Sequence, residues 1–319
     1  MPVAGCSAAA TGPAASAASP GRAEPAGKLS PPITTASARS VLATYQIVNN
    51  TANARRDGRL EASVETVPQI TIDRAAYDIQ KLINQSYPPF SYGSPVFYIP
   101  ALTAGARKWF TVDATTRSGR KTQHQLLLFV QPAPGGAWKL AAAPASGVGA
   151  LLPVALSQAG SATMAAPDGS GLAVSPAQLP ALQAGLLDGR RAGPGFARGM
   201  WTSALARGIQ SSRSFYGRFG WNYHDTWAAG DYPTYALRTT DGGAVAWYFL
   251  DDRQTAVRTG SGRPLRGGSV IRALTGMTQV TRRFTIDSVT EFVAIIPPAG
   301  RGKITIVAGS TGNVAATAS

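Results

Sequence analysis

The order of hydrophobic periodicities along this chain constrains its fold more than any single motif. Helical spacing comes first, strand alternation follows, and the same order then repeats. After Thr35 or Ser37, either of which suits an N-cap, the apolar positions Val41, Leu42, Tyr45, Ile47, Val48 and Ala52 keep helical spacing, and Asp57-Gly58 supplies a stop. "RLEASVETVPQ" reads as a second short helix ending before Pro68. "ITIDRAAYDIQKLINQ" opens on the alternation Ile70, Ile72 and fits either a strand or a helix. "SYPPFSYGSPVFYIP" (86–100) reads as an extended loop leading into a short strand. Three strands follow, "RKWFTVDATT", "TQHQLLLFVQ" and "AWKLAAAP", with turns at Ser118-Gly119 and "PAPGG".

The second half repeats the plan. In "SPAQLPALQAGLLDG", Ser175 is placed as N-cap, Pro176 at the first helical position and Gly189 near the end. Strands are expected at "RFGWNYHDTWAA", "TYALRTT" and "AVAWYFLDD", the last two joined at "DGG", a strong hairpin signal. A helix around "RGGSVIRALTG" and two long strands, "VTRRFTIDSVTEFVAIIPP" and "GKITIVAGSTGNVAA", complete the chain. Between the halves, residues 145–171 are poor in charge and rich in small residues, and read as a connection with one strand at "LLPVAL". The expected fold class is α+β: a disordered tether over 1–34, a first domain over 35–144, a linker over 145–171 and a second domain over 172–319. A length of 319 residues with 44% hydrophobic content supports that amount of packed core.

The only cysteine, Cys6, has no intramolecular partner, and with two histidines in the chain a structural zinc site is not expected. Cys6 follows Val3-Ala4-Gly5 and precedes a run of Ala, Ser, Gly and Pro. Val3-Ala4-Gly5-Cys6 resembles a bacterial lipobox, in which the thiol takes up a diacylglyceryl group and the following tract serves as a flexible tether. Five residues precede Cys6, fewer than a signal peptide needs, so the residues that would complete one are missing from this reading. The expected place is the outer face of the cytoplasmic membrane, with membrane lipid as the partner through Cys6. No stretch is apolar over the length needed to span a bilayer. Net charge is +14, spread evenly over both halves, without basic blocks, zinc-finger spacing or an RNP signature. No nucleic-acid partner is expected; an anionic envelope surface or another surface protein is the expected partner.

Helices followed by a curved antiparallel sheet, twice over, resemble a pair of cone-shaped domains of the nuclear-transport-factor-2 (NTF2) or cystatin type. "RLEASVETVPQITIDRAAY" and "FYIPALTAGARKWFTVDATT" are similar to segments of an uncharacterised family of actinobacterial lipoproteins defined by a domain of unknown function. That resemblance spans residues from about 35 to the end. It implies surface anchoring, and it brings no known activity and no catalytic residues.

Chemistry has two candidate locations. "FYGRFGWNYHDTW" gathers Phe215, Tyr216, Phe219, Trp221, Tyr223 and Trp227 around His224 and Asp225. Strand alternation puts Phe219, Trp221, Tyr223 and Asp225 on one face and His224 on the other. A ligand pocket on the concave sheet face is expected from Trp221, Tyr223, His224, Asp225 and Trp247, with the two tryptophans the most buried. The aromatic loop 86–100 is the second candidate, for stacking on a sugar or a peptide. His124 reads as a strand residue with a satisfied ring. Asp251-Asp252 and Asp287/Glu291 lack metal-ligand spacing, so no metal is expected. Phosphate-loop, dinucleotide, nucleophile-elbow and zincin motifs are absent from the sequence, and no cofactor is expected. The function expected is a non-enzymatic binding or scaffolding module. The alternative is an extracytoplasmic enzyme with an aromatic-lined pocket and His224 or Asp225 as general base.

Overall fold

The computed structural model describes residues 29–147, 152–166, 168–190, 195–260 and 262–319. Cys6, the tether before residue 29 and parts of the 145–171 connection lie outside the described residues. The front of the chain is helical: α1 (Thr35–Arg55), α2 (Gly58–Glu61) and α3 (Gln69–Leu82). Strands β1 (Ser91–Tyr98), β2 (Trp109–Ser118), β3 (Lys121–Val130), β4 (Lys139–Ala142) and β5 (Ala145–Ser146) follow. Helix α4 (Leu179–Leu187), a π-helical turn (Met200–Ala204) and α5 (Leu205–Arg218) come next. Then come β6 (Trp221–Ala229), β7 (Tyr235–Arg238), β8 (Ala244–Arg258), β9 (Leu265–Arg266), α6 (Ser269–Thr275), β10 (Gln279–Val280), β11 (Arg283–Ile296) and β12 (Thr305–Ala318).

Several local expectations change. Thr34 caps α1, accepting the Ser37 backbone N–H at 3.1 Å, in place of Thr35 or Ser37. The buried stripe of α1 is Ala38, Leu42, Tyr45, Asn49 and Ala52, and Ile47 is exposed. The segment after Pro68 is helical. The aromatic loop 86–100 is largely strand β1, paired with β2. Helix α4 starts at Leu179 with Pro180 in its first turn, so Ser175 and Pro176 precede it; the Ser175 hydroxyl accepts the Gln178 N–H at 3.3 Å. The helical stretch over 200–218 had no counterpart in the sequence reading, which began a strand at Arg218.

The fold is mixed α+β around a large antiparallel sheet. Ten strands form one sheet, ordered β1-β2-β3-β5-β12-β11-β8-β6, with β4 beside β3 and β7 beside β8. Two-residue β5 joins the halves, pairing with β3 through His124 and Gln125 and with β12 through Ala308 and Gly309. The connection that follows is also built in: Val154 bridges Thr239, Met164 bridges Leu237, and Leu152 and Val154 are buried.

The core has layers on both sides of this sheet. Helix α1 covers Phe110, Val112, Leu127 and Phe129. On the other face, Trp109, Leu126, Leu128 and Val130 meet Trp247, Phe249, Val289 and Val293 of the second half, with Ile72 of α3 packed against them. Helices α4 and α5 cover Tyr248, Leu250 and Phe292 on the opposite face of β8 and β11. Each fully buried side chain of this size contributes roughly 1.5–3 kcal/mol of transfer free energy, so the layer shared by both halves is a major part of what holds the molecule together.

A seam cleft and two buried acid groups

The register separates the residues expected to form one pocket. Along β6, Trp221, Tyr223, Asp225 and Trp227 are buried while Asn222, His224 and Thr226 are exposed. His224 and Asp225 therefore face opposite ways. Trp221 stands opposite Arg258, and β6 and β8 pair without a bulge. Trp247 lies an odd number of residues from Arg258, so it stands on the other face of the sheet from Trp221. Trp221 and Tyr223 pack with Ala256, Ile271 and Phe284, and the Trp221 indole N–H donates to the Arg263 carbonyl at 2.7 Å. Trp247 packs in the shared layer, and its N–H donates to the Leu126 carbonyl at 3.0 Å. Phe215 and Phe219 are exposed; Phe215 belongs to α5 and Phe219 precedes β6. Tyr216 stacks on Tyr223 with ring centres 4.8 Å apart, and Phe215 and Tyr216 line an apolar groove of about 340 Å³ with Leu265, Phe284 and Ile286.

Asp225 points under the sheet, where the Tyr223 hydroxyl donates to its Oδ2 at 3.3 Å. Beside it lies the buried Asp252 carboxyl, which accepts from Gln254 Nε2 at 2.9 Å. Burial, reinforced by the neighbouring Asp225 carboxyl, pushes Asp252 up to about 8. His124 has a partner as well: its Nδ1 lies 3.0 Å from Asp113 Oδ1, and Thr115 Oγ1 lies 3.4 Å from its Nε2.

A cleft of about 550 Å³ opens at the seam between the halves. Its first-half wall comes from Thr66 and Pro68 ahead of α3, Arg107 ahead of β2, and Val130-Gln131 at the end of β3. The other wall is the loop Asp231–Tyr235 and Phe249 of β8. Tyr232 lies on Phe249 at 5.2 Å between ring centres, and Tyr235 on Trp109 at 5.1 Å. Burial raises the Tyr235 hydroxyl, and the Arg107 guanidinium beside it works against that shift. Gln131 Nε2 donates to the Gly136 carbonyl, leaving its buried Oε1 without a hydrogen-bond partner. The cleft thus has aromatic walls and, among its lining residues, the polar side chains of Arg107, Gln131 and Asp231.

The second acid group had no place in the sequence reading. Helices α1 and α3, with α2 and the turn after it, enclose Glu61, Glu65 and Asp73, each offering an oxygen within 4.8 Å of the others. Glu61 and Glu65 are buried. Asn49 Nδ2 and the Tyr77 hydroxyl donate to the two oxygens of Glu61, at 2.7 and 2.8 Å. The Tyr45 hydroxyl donates to Glu65 Oε1 at 3.0 Å. Burial raises all three carboxyls, Asp73 to about 6. Glu291 of β11, fully buried and held by the Ala143 N–H at 2.9 Å, is pushed up to about 8 by burial, with a smaller contribution from the Asp73 charge. The signal in the sequence was the four-residue spacing of Tyr45-Asn49-Asn53, Glu61-Glu65 and Asp73-Tyr77, which stacks polar groups on one side of each turn.

The sequence matches the family model for the domain of unknown function DUF8094 over residues 29–318. An uncharacterized lipoprotein of Streptomyces avermitilis is 29% identical over 227 residues, 69% of this chain and 67% of that protein. Two uncharacterized lipoproteins of Streptomyces coelicolor are 29% and 28% identical, over 77% and 85% of this chain and 72% and 82% of their own lengths. No solved structure matches. Among the described residues, no helix is long and apolar enough to cross a membrane.

Proposed function

Because the chain belongs to the DUF8094 family, and its relatives are named lipoproteins, we propose that it is lipid-anchored through Cys6 outside the cytoplasmic membrane and acts as a non-enzymatic binding module. The seam cleft carries this reading. It combines two tyrosine rings with a cation at Arg107 and a carboxylate at Asp231, a set that suits a small ligand with a flat face and a negative group that Arg107 can meet. Each half is read as a helix-on-curved-sheet unit of the cone type, the two fused edge to edge through β5. The +14 charge supports weak attraction to anionic lipid or wall polymer once the anchor holds the body near the surface.

The enzyme alternative draws on Asp225, which is buried next to a second carboxyl. His224 is exposed on the other face, so the two do not share a proton, and neither lines the seam cleft. Two measurements test the binding reading. Cys6→Ala should move the protein from the membrane fraction to the soluble one, and mass spectrometry of the native membrane protein should find lipid on Cys6. The anionic aromatic probe anilinonaphthalene sulfonate should bind the cleft and lose affinity severalfold in Arg107→Ala and Tyr232→Ala. Equal probe binding by both variants would remove the cleft as the ligand seat.

A further inference from the structure

The elements that ring the apolar groove beside Phe215 and Tyr216 are strongly cationic. The groove is walled by α5, β9, α6, β10 and the start of β11. The two stretches that supply these walls, 205–224 and 256–286, hold nine arginines and no aspartate or glutamate, in a chain with 16 acidic residues. The carboxylates that flank them are engaged elsewhere: Asp225 and Asp252 are buried, and Asp287 pairs with Arg253 at 2.6 Å. Helix α3, which packs against α6, adds the exposed Asp78 together with the exposed cations Arg74 and Lys81.

Backbone hydrogen bonds gather these arginines around two exposed rings. The Arg263 N–H donates to the Phe219 carbonyl at 3.2 Å, and the Arg258 N–H to the Arg282 carbonyl at 2.8 Å. Arg266 lines the groove, and the Arg218 guanidinium lies 6.0 Å from the centre of the Phe215 ring. Arg218, Arg263, Arg266, Arg282 and Arg283 are exposed, and no ion pair among the described residues reaches them. Phe215 and Phe219, their ring centres 5.0 Å apart, are 46% and 42% exposed beside this charge. Large rings left in water next to an apolar groove, with charge around them, mark a contact surface. Arginines alone would suit any polyanion. The rings and the groove favour one whose interior is hydrocarbon.

We propose that this face docks the tethered body on an anionic lipid bilayer, its arginines meeting phosphate headgroups while Phe215 and Phe219 enter the boundary between headgroups and acyl chains. The inference rests on the lipid-anchored reading above, since the tether is what keeps this face within reach of the leaflet. Docking is weak and salt-dependent, because exposed charges are screened over about 8 Å at physiological ionic strength. The face, and not the +14 charge of the whole chain, sets which side of the body meets the membrane.

The full chain carrying Cys6→Ala, and so no lipid, separates the face from the anchor when it is sedimented with vesicles. It should bind phosphatidylglycerol–phosphatidylcholine vesicles at low salt, bind pure phosphatidylcholine vesicles far more weakly, and be released as salt rises. In that background Arg263→Ala with Arg266→Ala should weaken binding about tenfold or more, and Phe215→Ser with Phe219→Ser severalfold, with folding verified by circular dichroism. Arg117→Ala with Arg120→Ala removes the same charge from the exposed β2–β3 turn and should leave binding within about twofold. If a double variant does not fold, Arg266→Glu and Phe219→Ser singly carry the same test. Equal loss in both arginine pairs would overturn the proposal, because net charge and not this face would then be the cause. Binding unchanged in the folded serine pair would overturn it too. So would an absence of vesicle binding at low salt, even where mass spectrometry finds lipid on the native Cys6, or binding to heparin alone, which would point to a polymer partner. Vesicle binding with these losses, in a protein whose native Cys6 carries no lipid, would uphold the face and remove the anchor.

Discussion

Asp252 couples this molecule's stability to pH. Its ordinary pKa is 3.8, and burial beside Asp225 raises it to about 8 in the folded protein. Below about pH 4 the group is protonated in both folded and unfolded chains and makes no difference. As pH rises from there towards 8, the unfolded chain gives up the proton while the folded one retains it, so stability falls, and the loss levels off above 8. Asp252→Asn removes this loss. Its unfolding free energy relative to the parent should climb between pH 4 and pH 8, by an amount on the order of a few kcal/mol at most; a difference flat across that range would show that the acid titrates normally. Neighbouring positions show how far single residues could be read. The alternation that buries Trp221, Tyr223 and Asp225 and exposes His224 was visible, because side-chain direction along one strand depends only on parity. The placement of Trp247 behind the sheet was hidden, because it depends on the register between β6 and β8.

Among the elements, those with strong periodicity were the legible ones. β3, β8 and β11 follow apolar runs, while α1 was legible as a helix although its buried stripe runs through Ala38 and Asn49 and leaves Ile47 out. Helix α5 was missed because Ile209 is its one buried residue, with Arg, Ser and Gln filling most of the remainder. Helix α3 could not be separated from a strand. Ile72 and Tyr77 decide it only by what they reach, the sheet core for one and Glu61 for the other. β12 carries glycine at 309 and 312, where side chains from other elements close on its backbone. A Cβ at Gly309 would lie 2.5 Å from the Trp201 ring, which packs edge-on against Phe292 at 5.5 Å between centres. Gly309→Ala should therefore cost roughly 1–3 kcal/mol by overpacking, read as a lower urea midpoint. An unchanged midpoint would mean that the π-helical turn carrying Trp201 yields freely.

For the whole molecule, the question is whether the halves stand alone. They share one sheet through β5 and one buried layer in which Trp247 bonds to Leu126 across the seam. Trp247→Phe keeps an aromatic ring but removes the indole N–H and part of the fill, at a cost of about 1–3 kcal/mol. Hydrogen exchange should then quicken in β2–β3 and in β8–β11 by a similar factor, in a single cooperative transition. Faster exchange confined to β8–β11 would favour two independently stable units divided over 145–171.

The sequence by itself determined the α+β class, the repeated order of helices and strands, the parity of β6 and the lipobox-like segment around Cys6. These depend on neighbours a few residues apart, where periodicity and local chemistry are enough. The tertiary structure decided the strand order β3-β5-β12, the seam cleft and the gathering of Glu61, Glu65 and Asp73. Each depends on which distant surfaces meet. That is set by the fit of whole faces and by the cost of burying unpaired polar atoms; the four-residue spacing around Glu61-Glu65 and Asp73-Tyr77 marks polar groups on each turn but not which turns meet.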